Sequence, residues 1–305
     1  MAIRVIILSN MLLLILKTNC SLQSLHKNMK KIFCIILLLT GINFDSSASA
    51  PPKRIITLNG ALTETVDALG FGKSIVAVDI TSTYPSYVST LPKVSKNRSV
   101  SAEGLISFTP DLVLAPDGSV SKEIESQLIA AGIKLIRIKQ VFTIEGTYQF
   151  ISDVASALQV ADKGNALIKQ TKDKINKALI TVKQQPKNTK VLFIYARSPG
   201  VMMVAGKNTH IDGIISLAGG KNAVTAFNDF KPYTTEALVE ANPDVILMFD
   251  FGFSSLGGLD SILKIPGMAQ TNAGKNKRVM QMDADLLINF STRLDQAILQ
   301  LHSKL

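Results

Sequence analysis

Val78-Asp79-Ile80-Thr81-Ser82-Thr83-Tyr84-Pro85 carries a phenol in a setting suited to chemistry. An apolar strand, Ser74 to Val78, runs into a polar turn that ends on Tyr84, immediately before a proline. Proline fixes its own φ and biases the residue before it toward extended backbone. Tyr84 is therefore expected to be held stiffly at the carboxyl end of a strand, where a side chain can be aimed into a cleft. Taken alone, the stretch reads first as a surface loop with a half-packed ring, and only the rest of the chain reverses that order. Conventional catalytic constellations are missing. There is no Gly-x-Ser-x-Gly elbow, no His-Glu-x-x-His and no credible Ser–His–acid set. Both cysteines, Cys20 and Cys34, lie in the first 50 residues, which excludes a disulfide framework, a thiolate metal site and a cysteine nucleophile in the body of the protein. Beyond residue 50 the histidines are His210 and His302 alone, too few for a zinc or manganese site of several imidazoles. These features point to binding without turnover.

The elements around Tyr84 follow from pattern and punctuation. Arg54 to Leu58 reads as a strand, Thr63 to Leu69 as a helix ending at Gly70, and Ser101 as the N-cap of a short helix. Leu112 to Ala115 is a buried strand, Ser121 to Ala131 a helix, and Lys134 to Ile138 a further strand. Strands alternating with helices predict a parallel sheet. From Thr147 to about Gln184 helical spacing continues with no proline until Pro186, which predicts one long helix that Gly164 kinks. The alternation then restarts: strands at Val191–Tyr195, Val201–Ala205 and Val245–Phe249, a helix from His210 to Leu217 capped by Thr209, and a terminal amphipathic helix from about Ser291 to Leu301.

An internal repeat ties the two halves together. Ser101-Ala-Glu103-Gly-Leu105 through Pro110-Asp111-Leu-Val-Leu matches Thr234-Thr-Glu236-Ala-Leu238 through Pro243-Asp244-Val-Ile-Leu at a constant offset. The expected fold class is α/β: two Rossmann-like lobes with parallel sheets, residues 51–146 and 187–305, joined by one long backbone helix over 147–186, with a ligand cleft between them. The repeat sets one acid at the same point of each lobe, Glu103 and Glu236. Compensation of the helix dipole explains them locally; a matched pair of docking carboxylates for a symmetric partner is the functional reading.

The first 50 residues read differently. Met29-Lys30-Lys31, an apolar run from Ile32 to Leu39 and Ala48-Ser49-Ala50 form a secretory signal peptide with cleavage near 48–50. A second apolar run, Val5 to Leu16, lies upstream, so the true start is expected at Met29, with an N-terminal anchor as the alternative. No small residue leads into a cysteine at the end of the run, so a lipoprotein is not expected. The chain carries 33 basic and 23 acidic residues, net +10. Without residues 1–50, which hold five basic residues and one acid, the net charge is +6. That suits an anionic ligand or a membrane-facing role better than nucleic acid, because the lysines are scattered.

With repeat, cleft and signal in hand, the chain resembles the periplasmic binding proteins of ABC importers. More narrowly, it is similar to the helix-backbone class of cobalamin, siderophore and haem binders, and within it to the haem-binding branch. The resemblance covers about residues 53–303. It is carried by Arg54-Ile-Ile-Thr-Leu-Asn-Gly-Ala-Leu-Thr-Glu64, the Val78–Pro85 stretch, Ser101-Ala-Glu-Gly104, Val204-Ala-Gly206, Leu217-Ala-Gly-Gly-Lys-Asn222, Gly257-Gly258 and Pro266-Gly267. It implies a monomeric, non-enzymatic carrier in the periplasm of a Gram-negative bacterium. Such a carrier captures haem and delivers it to an ABC permease dimer in the inner membrane, with no nucleic-acid partner; a ferric-siderophore or cobalamin binder is the alternative. It also implies Tyr84 as the axial ligand of haem iron, in keeping with the preference of ferric iron for anionic oxygen. A free phenol ionises only near pH ~10, so a cation is needed nearby. Arg197 is the first choice and Arg293 the second; either pairs alternatively with a propionate. Tyr233 is a further ligand contact, and Met202, Met203, Phe251 and Phe253 are candidate walls. The loop Tyr195-Ala-Arg197-Ser-Pro-Gly200 lacks the histidine with which some relatives ligate a second haem, which argues against two-haem binding and leaves His210 as a minor candidate.

Overall fold

The computed structural model describes residues 50–305 except Arg98, Pro199 and Gly200. The expected signal peptide, the upstream apolar run and both cysteines lie outside the described residues.

The first lobe is built on β1 (Ile55–Thr57), α1 (Gly60–Val66), β2 (Ile75–Val78), α2 (Ala102–Ile106), β3 (Leu112–Pro116), α3 (Lys122–Ala130) and β4 (Lys134–Ile138). Its sheet is wholly parallel in the order β2-β1-β3-β4. Both faces are covered, so its strands are apolar on both sides. Leu112 and Leu114 pack with Leu62, Phe150 and Val154, while Val113 and Ala115 pack with Leu105 and Leu128.

Two helices follow, α4 (Ile144–Ala157) and α5 (Ala161–Gln184). This corrects the expectation of one long helix. The break falls at Leu158–Val160, where Gln159 takes a left-handed φ of 62°, and not at Gly164. Gly164 instead lets the two helices touch: a Cβ there would stand 2.5 Å from that of Ala155. α4 packs on the first lobe through Phe150 and Val154, and α5 on the second through Ile175, Ala178 and Val182. At ~1.5 Å per residue, the 24 residues of α5 form the longer strut.

The second lobe comprises β5 (Lys190–Ser198), β6 (Val201–Ala205), α6 (His210–Leu217), β7 (Lys221–Asn222), β8 (Phe230–Pro232), α7 (Thr235–Ala241), β9 (Val245–Phe249), β10 (Val279–Met282), α8 (Ala284–Ile288) and α9 (Leu294–Lys304), with short helical turns between β9 and β10. Its sheet runs β10-β9-β5-β6-β8, with β7 also on β5. The β10-β9-β5 part is parallel as expected; β6 returns antiparallel to β5, and β8 antiparallel to β6. The fold is thus two α/β lobes bridged by helices.

The repeat has a physical basis in strand registration. Ser101 and Thr234 cap α2 and α7 by accepting from the backbone N–H of Gly104 and Ala237. Asp111 then accepts from the N–H groups of Lys53 (2.7 Å) and Arg54 (3.1 Å), at the entry to β1. Asp244 accepts from the N–H of Lys190 (2.9 Å), at the start of β5. In each lobe the Pro-Asp acid pins the first strand beside its parallel neighbour.

Candidate functional site

A cavity of about 630 Å³ lies between the lobes. Its first-lobe wall is mixed: Asn59, Asp79, Thr81 and Gln140 are polar, whereas Leu58, Ala61, Val100 and Pro116 are apolar. Its second-lobe wall is aromatic and apolar: Tyr195, Met203, His210, Phe230 and Phe249. Asp285 and Asn289 of the second lobe complete it. A mostly apolar cavity with a few polar groups along one side suits a largely apolar ligand with polar substituents, and the volume is in the usual range for small-molecule sites.

Tyr84 follows Asp79 and Thr81 in a loop held by its own hydroxyls. The Asp79 carboxylate accepts from the Thr81 N–H (2.9 Å), an Asx-type turn, and from the hydroxyls of Thr81 and Ser82. The Ser82 hydroxyl continues to Thr63 (2.9 Å) on α1, and the latter to Thr57 (2.6 Å) on β1. Lys93 Nζ donates to the Ser82 carbonyl at 2.8 Å. The stiff loop expected of this stretch is therefore present. The Tyr84–Pro85 bond is cis. Tyr84 is 40% exposed and is not among the cavity's lining residues, so the expectation that its side chain is aimed into the cleft is not met. It lies at the lobe junction, because Thr83 donates its hydroxyl to Asp285 of α8 and the guanidinium of Arg293 covers the Tyr84 ring, 3.5 Å from its centroid. Burial pushes the Asp285 carboxyl up, and the Thr83 hydrogen bond opposes that.

Arg293, not Arg197, is thus the cation on Tyr84. It is held by Glu64, whose buried carboxylate accepts from Arg293 Nε at 2.8 Å, Ser291 Oγ at 3.0 Å, Asn289 Nδ2 at 3.3 Å and the Thr292 hydroxyl. Gln140 Nε2 donates to the Asn289 carbonyl at 2.6 Å across the same junction.

Arg197 has a different partner: its Nε donates to Tyr195 Oη. Residues two apart on a strand share a face, so a Tyr-x-Arg pair near the end of β5 sets a guanidinium beside a cavity-lining phenol. In the sequence Tyr195 stands at the end of a strand and the start of its loop, and its i, i+2 spacing to Arg197 is the signal that could have found it. The Tyr195 ring is backed edge-on by Phe249 (5.9 Å) and Phe251 (6.1 Å).

His210 lines the cavity between Phe142 (5.4 Å) and Phe230 (5.7 Å). Burial pushes its pKa down to about 4, so the ring is neutral at pH 7, and its Nε2 is buried with no hydrogen-bond partner among the described residues. Tyr233 is not brought to the site. Its Oη donates to the Pro266 carbonyl at 3.0 Å, and burial pushes its pKa up to about 12. Met203 lines the cavity, whereas Met202 and Phe253 pack on the core of the second lobe. Phe230, Phe249, Gln140 and Asp285 were not foreseen. Glu103 and Glu236 are exposed, each in the first turn of its helix. No group of three or more potential metal-ligating His, Cys, Asp or Glu side chains occurs among the described residues, and no described helix is long and apolar enough to cross a membrane.

Residues 55–286 match the family model described as periplasmic binding protein. The chain belongs to that family. It is 30% identical over 262 residues to the uncharacterized ABC transporter substrate-binding lipoprotein YvrC of Bacillus subtilis (strain 168), covering 85% of this chain and 82% of that protein. It is 30% identical over 206 residues to the vitamin B12-binding protein of Vibrio parahaemolyticus, covering 65% and 71% respectively. Among solved structures it superposes on the periplasmic heme-binding protein RhuT from Roseiflexus sp. RS-1 in apo form with a TM-score of 0.79 and 37% identity, over 83% of this chain and 97% of that one. The two-lobe architecture and the substrate-binding role are those of the family.

Proposed function

We propose that this protein is a periplasmic haem carrier that captures ferric haem in the interlobe cavity and hands it to an ABC transporter permease. The observation that carries the reading is a phenol at the lobe junction with a guanidinium stacked on its ring, Tyr84 beneath Arg293, beside an aromatic-walled cavity. Ferric iron favours anionic oxygen, and tyrosinate is an established ligand of haem iron. In this reading Tyr84 supplies the axial oxygen, and Arg293 stabilises it or meets a propionate. Tyr195, with Arg197 at its hydroxyl, offers a second phenol oxygen from the opposite lobe. Phe230 and Phe249 lie against the porphyrin, and the neutral His210 ring is a polar contact or a weaker ligand.

The similarity to a heme-binding protein at 37% identity over nearly its full length weighs more than that to a B12-binding protein at 30% over a shorter span. The latter keeps cobalamin, and more distantly a ferric siderophore, as the alternative. Glu103 and Glu236 act as docking carboxylates for the two halves of the permease. The protein works as an exported monomer in a Gram-negative periplasm and turns nothing over.

Side-by-side titration with ferric haem and cyanocobalamin tests the cargo. Saturable binding of haem at about micromolar or tighter Kd, with none of cobalamin, is expected. Saturation by cobalamin without haem binding would overturn the assignment.

A further inference from the structure

Glu64 has no role in the reading above. It sits on α1 of the first lobe, 3% exposed, yet all four of its side-chain hydrogen-bond donors come from Asn289, Ser291, Thr292 and Arg293 of the second. A carboxylate buried so deeply is costly unless it is paired and fully hydrogen-bonded. The single Nε–H of Arg293 would leave one carboxylate oxygen without a donor. Here three further donors fix both carboxylate oxygens, so the carboxylate can hold the guanidinium in one orientation. That orientation is specific: Nε is committed to Glu64, Cζ lies 3.5 Å from the centroid of the Tyr84 ring, and Nη2 is buried with no hydrogen-bond partner among the described residues. The backbone is shaped to the same end. Gly60 opens α1 against Asn289, and a Cβ there would fall 2.7 Å from Asn289 Oδ1. Asn289 therefore approaches α1 closely enough for its amide and the following hydroxyls to reach Glu64.

We propose that Glu64 is a positioning residue: it reaches across the lobe junction, holds Arg293 over the Tyr84 ring with Nη2 uncommitted, and so sets the environment of the Tyr84 oxygen. That hold is a property of the ligand-free protein; its consequence for haem rests on the function proposed above. Partners one shell behind a ligand commonly change metal affinity by 10–100-fold when removed, and contacts acting as a unit are non-additive.

The test has two arms. The chain has no tryptophan and five tyrosines, so its near-ultraviolet circular dichroism is a tyrosine spectrum. In ligand-free protein, the difference between wild type and Tyr84→Phe isolates the band of an immobilised Tyr84. The same difference taken in a Glu64→Gln background is expected to fall to about half or less; an undiminished band overturns the proposal. In the second arm, ferric haem is transferred to apomyoglobin from wild type, Glu64→Gln, Arg293→Ala and the double variant. Each single change is expected to speed release about tenfold, and the double variant to release no faster than Arg293→Ala. Multiplying effects, or a Glu64→Gln change that lowers Tm alone, would overturn it. If wild type fails to bind haem, the functional reading falls, and the ligand-free arm still decides the role of Glu64. Should Glu64→Gln not fold, Arg293→Lys cuts the same Nε contact from the other side and is read in the same two ways.

Discussion

Arg293 and Arg197 each meet a tyrosine, but by different geometry. Arg293 lies on the face of the Tyr84 ring and leaves the phenol oxygen unencumbered; Arg197 points its Nε at the Tyr195 oxygen itself. The first arrangement leaves the oxygen free for a metal, whereas the second must give up or share a hydrogen bond to let a metal in. Tyr195→Phe is therefore expected to weaken haem binding by no more than about tenfold, roughly 1.4 kcal/mol, measured by equilibrium titration. Tyr233→Phe is the contrast. It loses only the hydrogen bond to the Pro266 carbonyl, so it is expected to lower stability by about 1 kcal/mol in denaturant unfolding while leaving haem affinity unchanged. The loop that carries Tyr84 was legible in the sequence as a polar turn running into a proline, although the structure leaves Tyr84 outside the cavity lining. Its cation was not, because Glu64 and Arg293 are 229 residues apart, and no local pattern reports which of two arginines crosses between lobes. Tyr195 was hidden by its own strand, where an aromatic residue reads as β-propensity.

Secondary structure was legible wherever a cap or an acid repeats. The two Pro-Asp sites pin two first strands, and this follows from the chain alone once the offset is seen. Asp244 is the clearer test. The Lys190 N–H and then the Asn272 amide hold its carboxyl below the ordinary value. A carboxylate depressed in the folded state contributes stability that is present above its unfolded pKa and is lost as pH falls through the lower folded one. Asp244→Asn is thus expected to cost about 2 kcal/mol at pH 7 and to flatten the acid limb of a Tm-against-pH curve below about pH 4; an unchanged acid limb would contradict this. The helix break was not legible. Glycine was the natural suspect, but Gly164 is there for close packing, and Gln159 turns the chain. Gly164→Val, with its Cβ 2.5 Å from that of Ala155, is expected to cost about 1–3 kcal/mol as α5 is pushed off α4, readable by chemical denaturation.

At the scale of the molecule, two lobes with separate cores meet along a polar junction. The cores are apolar on both faces of each sheet, whereas the junction is built from Glu64, Gln140, Asp285 and the 289–293 turn. Such a seam can separate at less cost than a core, which suits a carrier that must admit and release a large flat ligand. The matched acids Glu103 and Glu236 stand exposed on equivalent helices of the two lobes. Reversing both to lysine is expected to abolish haem-dependent growth while leaving haem affinity within about twofold of wild type; loss of affinity would assign them to folding instead.

Ligation of haem iron by the Tyr84 oxygen is tested most directly by one absorption experiment. Ferric haem added to the wild-type protein at neutral pH should give a Soret band with the charge-transfer features of a high-spin tyrosinate complex, and in Tyr84→Phe those features should vanish or shift. A Tyr84→Phe spectrum superimposable on that of wild type would contradict the assignment, even if the haem still bound.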